Sequence, residues 1–136
     1  MELKAIGTIH SELQKPGECP LQENEHAPEA VIEIFDEFTV GLKDIKPGDH
    51  IVLLTWLHRA DRTVLATRPR NDPKVAITGV FSTRSPDRPN PIGIHYVHVT
   101  SIEQGDKITV SGLEAIDQTP VIDLKPDLKK EHYGIK

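Results

Sequence analysis

His50-Ile51-Val52-Leu53-Leu54-Thr55-Trp56-Leu57 is a nearly continuous apolar run, broken only at His50 and Thr55. Such a run reads as a strand buried on both faces and marks the centre of the core. His58-Arg59-Ala60-Asp61-Arg62 follows directly, so a buried strand delivers polar side chains to a surface at its end. Outward from this strand, Lys4–His10 and Glu29–Phe35 precede it as β-rich segments. Asp36–Leu42 reads as a short helix with Asp36 as its cap, ending before Lys46-Pro47-Gly48-Asp49. Beyond it, Val75–Phe81 is a strand. Ile92–Ile102 and Lys107–Leu113 form a hairpin about the turn Glu103-Gln104-Gly105-Asp106, and Val121–Leu124 is a last short strand. Six or seven strands with one short helix indicate an all-β fold, most simply a small closed β-barrel whose closure removes the edges, with an open sandwich as the alternative.

A chain of 136 residues suits one domain covering residues 1–136. Hydrophobic content of 37% with 27% charged residues describes a soluble globular protein. No apolar run approaches the ~20 residues of a membrane span, and Met1-Glu2-Leu3-Lys4 lacks a signal peptide's apolar segment, so the expected address is cytoplasmic, with no membrane partner. Cys19 stands alone, which excludes a disulfide framework and a paired-cysteine zinc site. The net charge of −5 disfavours nucleic acid, but its distribution is uneven. From His58 to Arg88 seven basic residues face three acidic ones, an asymmetry that steers a phosphate-bearing partner to one side as easily as it solvates a loop.

Gly79–Gly93 is the least ordinary stretch. Pro86, Pro89 and Pro91 fix φ and remove three donors, and each residue before them is pushed to extended backbone. The loop is stiff. It displays Arg84, Arg88, a hydroxyl and Asn90 from a backbone with little entropy left to lose, as a polar ligand site requires. A proline-bent surface loop, or a Pro86-x-x-Pro89 peptide for a partner domain, is the competing reading. The nine glycines never adopt the spacing of a dinucleotide or nucleotide loop. His95 and His98 fall on opposite faces of a strand, and no other pair has ligand spacing, so no metal site is expected. Asp123 and Lys125 share one strand face and can pair or bracket a ligand. Asp117 lies in the turn before that strand, where its ordinary use is to bond its own backbone.

The runs Gly79–Gly93 and Gly112–Pro126 resemble the signature segments of the TrmO (TsaA-like) family, and the similarity extends from Ile6-Gly7 through Ile34-Phe35-Asp36-Glu37 to Lys125-Pro126. The resemblance implies a homodimeric β-barrel methyltransferase. It also implies S-adenosyl-L-methionine as cofactor and, as acceptor, the N6 nitrogen of threonylcarbamoyladenosine next to the tRNA anticodon. Carried over residue by residue, the cofactor site takes Gln22, Glu23 and Asn24 from the first loop, and His58 and Arg59 from the end of the buried strand. Arg84 and Ile94 come from the proline element and the strand after it, and Ser111, Gly112, Leu113 and Glu114 from the next strand's end. Asp117 and Asp123 are the candidate bases, Lys125 sets the charge of Asp123, and Arg88 and Asn90 position the acceptor. Departures from the family pattern are Leu21 and Glu23 in the first loop, Gln118 where glycine is usual, and Asp127 where an aromatic is usual. They weaken the expectation of a tRNA partner, and a small-molecule methyl acceptor, or a non-catalytic binding module, stands as the alternative.

Overall fold

Side chains alternate between two environments along β1 (Gly7–His10), β2 (Ala30–Ile34) and β3 (His50–Trp56), burying every second residue. These come from a computed structural model that describes residues 1–12, 29–68 and 72–128. β4 (Ala66–Thr67) and β5 (Thr78–Gly79) form a separate two-stranded arm. β6 (Ile92–Glu103), β7 (Lys107–Ser111) and β8 (Pro120–Pro126) complete the set. Six of these strands pair antiparallel in the order β1-β2-β7-β6-β3-β8, and β8 returns to β1 through Gly7 opposite Val121, closing a barrel. Closure leaves none of the six with an unpaired edge.

The interior is aliphatic. Ile9, Ile32, Leu53, Val99, Ile108, Val110, Leu113 and Val121 are fully buried, each contributing about 1.5–3 kcal/mol relative to exposure. Two glycines permit this packing. A Cβ on Gly7 would sit 2.3 Å from the Glu33 carbonyl oxygen across the β1–β2 ladder. A Cβ on Gly93 would sit 2.6 Å from Thr55 Oγ1 and 2.9 Å from His95 Nε2. Those two polar groups are buried and bonded to each other at 2.8 Å, so Gly93 makes room for a satisfied polar pair inside the barrel.

Several expectations need correction. β3 is buried on one face only: Ile51, Leu53 and Thr55 point inward, whereas Val52, Leu54 and Trp56 are half-buried on the outside. An apolar run therefore marks here a strand whose outer face is also apolar. Asp36–Leu42 is a 3₁₀ helix whose cap position is Phe35, with no side-chain cap bond, and Asp36 falls in the first turn. Val75–Phe81 contains only the two residues of β5, followed by a 3₁₀ turn at Val80–Ser82. β8 is longer than expected, running from Pro120 to Pro126.

The two ends of the barrel differ. At one end β6 and β7 are joined through Gln104 and Gly105 in left-handed conformation (φ +57° and +76°), and the 3₁₀ helix packs beneath with Phe38 and Leu42 against the core. At the other end β1, β3 and β7 finish, and β2, β6 and β8 begin. Connections 11–29, 57–91 and 112–119 leave from that end, whereas connection 35–49, which carries the 3₁₀ helix, lies at the first.

Candidate cofactor and acceptor site

The connection 57–91 is organised by Arg62. Its guanidinium lies 5.0 Å from the Trp56 ring, donates from Nε to the Pro89 carbonyl (2.7 Å) and from a terminal nitrogen to Asn90 Oδ1 (3.1 Å). Stacking and a fork of donors are what arginine offers and lysine does not. The end of β3 is thereby tied to the proline loop. Asp87 adds a second tie, accepting the Asp61 backbone N–H at 2.8 Å, and Asp61 in turn accepts the N–H and hydroxyl of Thr63 (2.8 and 2.6 Å). Those two Thr63 bonds hold the Asp61 carboxyl below its ordinary range. Arg88 faces inward, donating to the carbonyls of Val80 and, at 2.8 Å, Thr83. Arg88 and Asn90 thus build the loop, and Arg84 is its exposed cation.

His58, just past β3, stays accessible. Partial desolvation, and then the neighbouring Arg59 charge, lower its pKa below 6.5, so the imidazole is neutral at pH 7.

The connection 112–119 begins with Gly112 at φ +86°, a left-handed conformation that glycine adopts without penalty. A Cβ there would find only the Tyr96 carbonyl oxygen within 4 Å, at 3.8 Å. Ser111 and Gly112 line an open cavity of about 480 Å³ with His50, Tyr96, His98 and Asp127. The His50 and His98 rings stack across the β3–β6 pair with centroids 4.8 Å apart. Leu113 is fully buried in the core, so it offers a ligand its backbone alone, and Glu114 is half-buried. Further on, Asp117 Oδ1 accepts the Ser11 backbone N–H (2.9 Å) and Oδ2 accepts from Gln118 Nε2 (3.3 Å). The Ser11 bond is the main cause of its lowered pKa. Gln118 holds φ +69° and also reaches His10 Nδ1 (3.4 Å), whose Nε2 meets Glu33 Oε1 at 2.7 Å.

The outer wall carries the remaining residues. Register places Ile94, Leu54 and Asp123 in one row and Tyr96, Val52 and Lys125 in the next. Asp123 Oδ2 and Lys125 Nζ form the ion pair that their shared face allows, at 3.1 Å. His95 is buried inward while His98 faces the cavity, the opposite orientations expected of residues three apart. Gln22, Glu23, Asn24 and Cys19 lie outside the described residues. Among the described residues no group of three or more His, Cys, Asp or Glu side chains could hold a metal ion, and no helix is long and apolar enough to cross a membrane. Sequence reading missed Arg62, Tyr96 and the stacked histidines. Arg62 lies 27 residues from the carbonyl it meets, without a local signal.

Residues 8–131 match the family described as the tRNA-methyltransferase O N-terminal domain. The chain belongs to that family. A probable S-adenosyl-L-methionine-binding protein of Archaeoglobus fulgidus is 42% identical over 126 residues, 93% of this chain. A protein of the same description from Methanothermobacter thermautotrophicus is 38% identical over 126 residues. The crystal structure of TrmO from Pseudomonas aeruginosa superimposes with a TM-score of 0.72 at 29% identity over 93% of this chain. The chain spans 34% of the A. fulgidus relative and 54% of the TrmO chain, but 89% of the Methanothermobacter protein.

The residues around Gly112 fit the cofactor that the family implies. The cavity is of ligand size, a few hundred Å³. Gly112 leaves its backbone open to close approach, Tyr96 and the stacked imidazoles offer flat faces, and Asp127 lies beside them.

Proposed function

We propose that this chain is an S-adenosyl-L-methionine-dependent N-methyltransferase that modifies N6 of threonylcarbamoyladenosine beside the tRNA anticodon, acting as a cytoplasmic homodimer of single-domain barrels. The observation that carries the reading is the match of residues 8–131 to the TrmO family, in a barrel that sends connections 11–29, 57–91 and 112–119 out of one end. When bound, the cofactor supplies an electrophilic methyl group on a sulfonium. The chain's own task is to position and to exclude water.

Ser111, Gly112, the Leu113 backbone and Glu114 hold the cofactor from one side. The family resemblance adds His58, Arg59, Arg84 and Ile94, none of which lines the cavity beside Gly112, and Gln22, Glu23 and Asn24, which lie outside the described residues. Arg84, exposed on a clamped loop, suits a carboxylate. Arg88 and Asn90 act through the loop they hold rather than by touching the acceptor. The proton leaving the acceptor nitrogen needs a weak base. Asp123, paired with Lys125, and Asp117 are two candidates, and His58, neutral at pH 7, is a third. Both oxygens of Asp117 are already bonded, which ranks it last.

Ile92, Ile94 and Tyr96 are 42, 36 and 46% exposed in one stripe along β6, beside half-buried Val52, Leu54 and Trp56. A contiguous apolar face of this kind supports the homodimer. The test supplies cofactor carrying a labelled methyl group to the chain with total tRNA and, separately, with a small-molecule extract. Label in tRNA is expected. Label confined to the extract would replace the acceptor, and label in neither would overturn the enzymatic reading.

A further inference from the structure

The β4–β5 arm and the turn after it expose apolar side chains that the barrel does not use. Leu65 is 66% exposed, Ile77 63% and Phe81 83%. Phe81 is also held rigidly. The Thr83 backbone N–H and hydroxyl both donate to the Val80 carbonyl (3.0 and 2.9 Å), and the Arg88 guanidinium donates to the carbonyls of Val80 and Thr83. These bonds bracket residues 81 and 82 on both sides. An aromatic ring therefore projects into solvent from a turn that has little conformational freedom left to lose.

The same segment is where the positive charge concentrates, seven basic residues against three acidic from His58 to Arg88 on a chain of net charge −5. The three carboxylates are turned onto backbone amides: Asp61 accepts from Thr63, Asp72 from Lys74 and Asp87 from Asp61. The arm also exposes Lys74, and Arg68, one terminal nitrogen of which donates to the Pro73 and Val75 carbonyls (3.4 and 2.9 Å) while the rest of its exposed guanidinium carries charge outward. The rest of the chain, net negative, repels a polyanion, so such a partner is directed to this face.

We propose that the arm is a binding surface for single-stranded RNA, with the Phe81 ring as a stacking platform for one unpaired base and Lys74 and Arg68 as phosphate contacts. An exposed ring within a cationic surface is how sequence-tolerant single-strand recognition is built. The proposal rests on the tRNA reading above and adds to it the element that meets the RNA and the kind of base it takes.

The test measures fluorescence anisotropy of a short labelled single-stranded RNA, and of the same strand annealed into a duplex, with the wild-type chain, Phe81→Ala, Phe81→Trp and Lys74→Ala. Phe81→Ala weakens single-strand binding about tenfold to a hundredfold, and Phe81→Trp restores it. Lys74→Ala weakens binding to any sequence alike and lowers the salt slope by about one. Calorimetry shows the same S-adenosylmethionine affinity in all four. Equal binding by wild type and Phe81→Ala, or a preference for duplex, overturns the proposal. So does sedimentation in which Phe81→Ala turns a dimer into a monomer, since Phe81 then belongs to a self-association face. Cofactor binding without RNA binding sinks the arm but leaves methyl transfer to another acceptor. Phe81-dependent RNA binding without cofactor binding does the reverse.

Discussion

The two faces of β6 are built from alternate residues of one strand and differ in kind. Inward, Gly93, His95, Val97 and Val99 are buried and complete: the apolar groups interlock and the polar pair Thr55–His95 is satisfied. Outward, Ile92, Ile94 and Tyr96 are apolar yet exposed, and the row ends at the His98–His50 stack. The interior needs nothing further from outside the chain. The exterior is apolar without being covered by it, which is the condition of a surface that stability alone does not explain.

Substitutions on the two faces should separate accordingly. Leu53→Ala, at the centre of the inner face, is expected to cost about 2–5 kcal/mol in denaturant unfolding, because a fully buried side chain leaves a cavity. Gly93→Ala should cost about 1–3 kcal/mol by overpacking, since the new methyl must displace Thr55 or His95. Full stability for Gly93→Ala would mean the inner face is looser than its geometry indicates. Asp117→Asn probes the loop end through acid unfolding. The folded carboxyl has a pKa lowered below its ordinary 3.8, so its stabilisation is fully present above 3.8 and is lost as pH falls through the folded value. The melting-temperature gap between wild type and variant should therefore be constant at neutral pH and close below about 3.8. On the outer face, Lys125→Ala should change stability by less than about 1 kcal/mol, because its ion pair with Asp123 is largely exposed. A larger loss would show that the outer row is structural.

Much of the barrel was legible from the sequence. Apolar runs, β-rich composition and turn residues located β1, β2, β3, β6 and β7 to within a few residues, and the period of two placed His95 and His98 on opposite faces. What pattern could not supply was coverage. The apolar run of β3 carries no information about whether its outer face meets the same chain or a different one, so burial on both faces was the natural and incorrect reading. The arm escaped because Val75–Phe81 is β-rich in composition while only Thr78 and Gly79 find partners. The site was legible in its segments but not in its bonds. Arg88 and Asn90 read as acceptor contacts because they are polar on a stiff loop. Their partners, Val80, Thr83 and Arg62, are set by the chain's return past the end of β3. Asp87, with no evident role in the sequence, caps Asp61 across 26 residues.

The Gly112 end of the outer face decides the account. Calorimetric titration of S-adenosylmethionine into the wild-type chain and into Gly112→Ala, with folding of the variant checked by its melting curve, tests it directly. A Cβ at φ +86° strains the backbone at the mouth of the cavity, so the account predicts saturable heat for the wild type and a marked loss of affinity in a variant that still folds. No heat from the wild type, or equal affinity in the two, would contradict it.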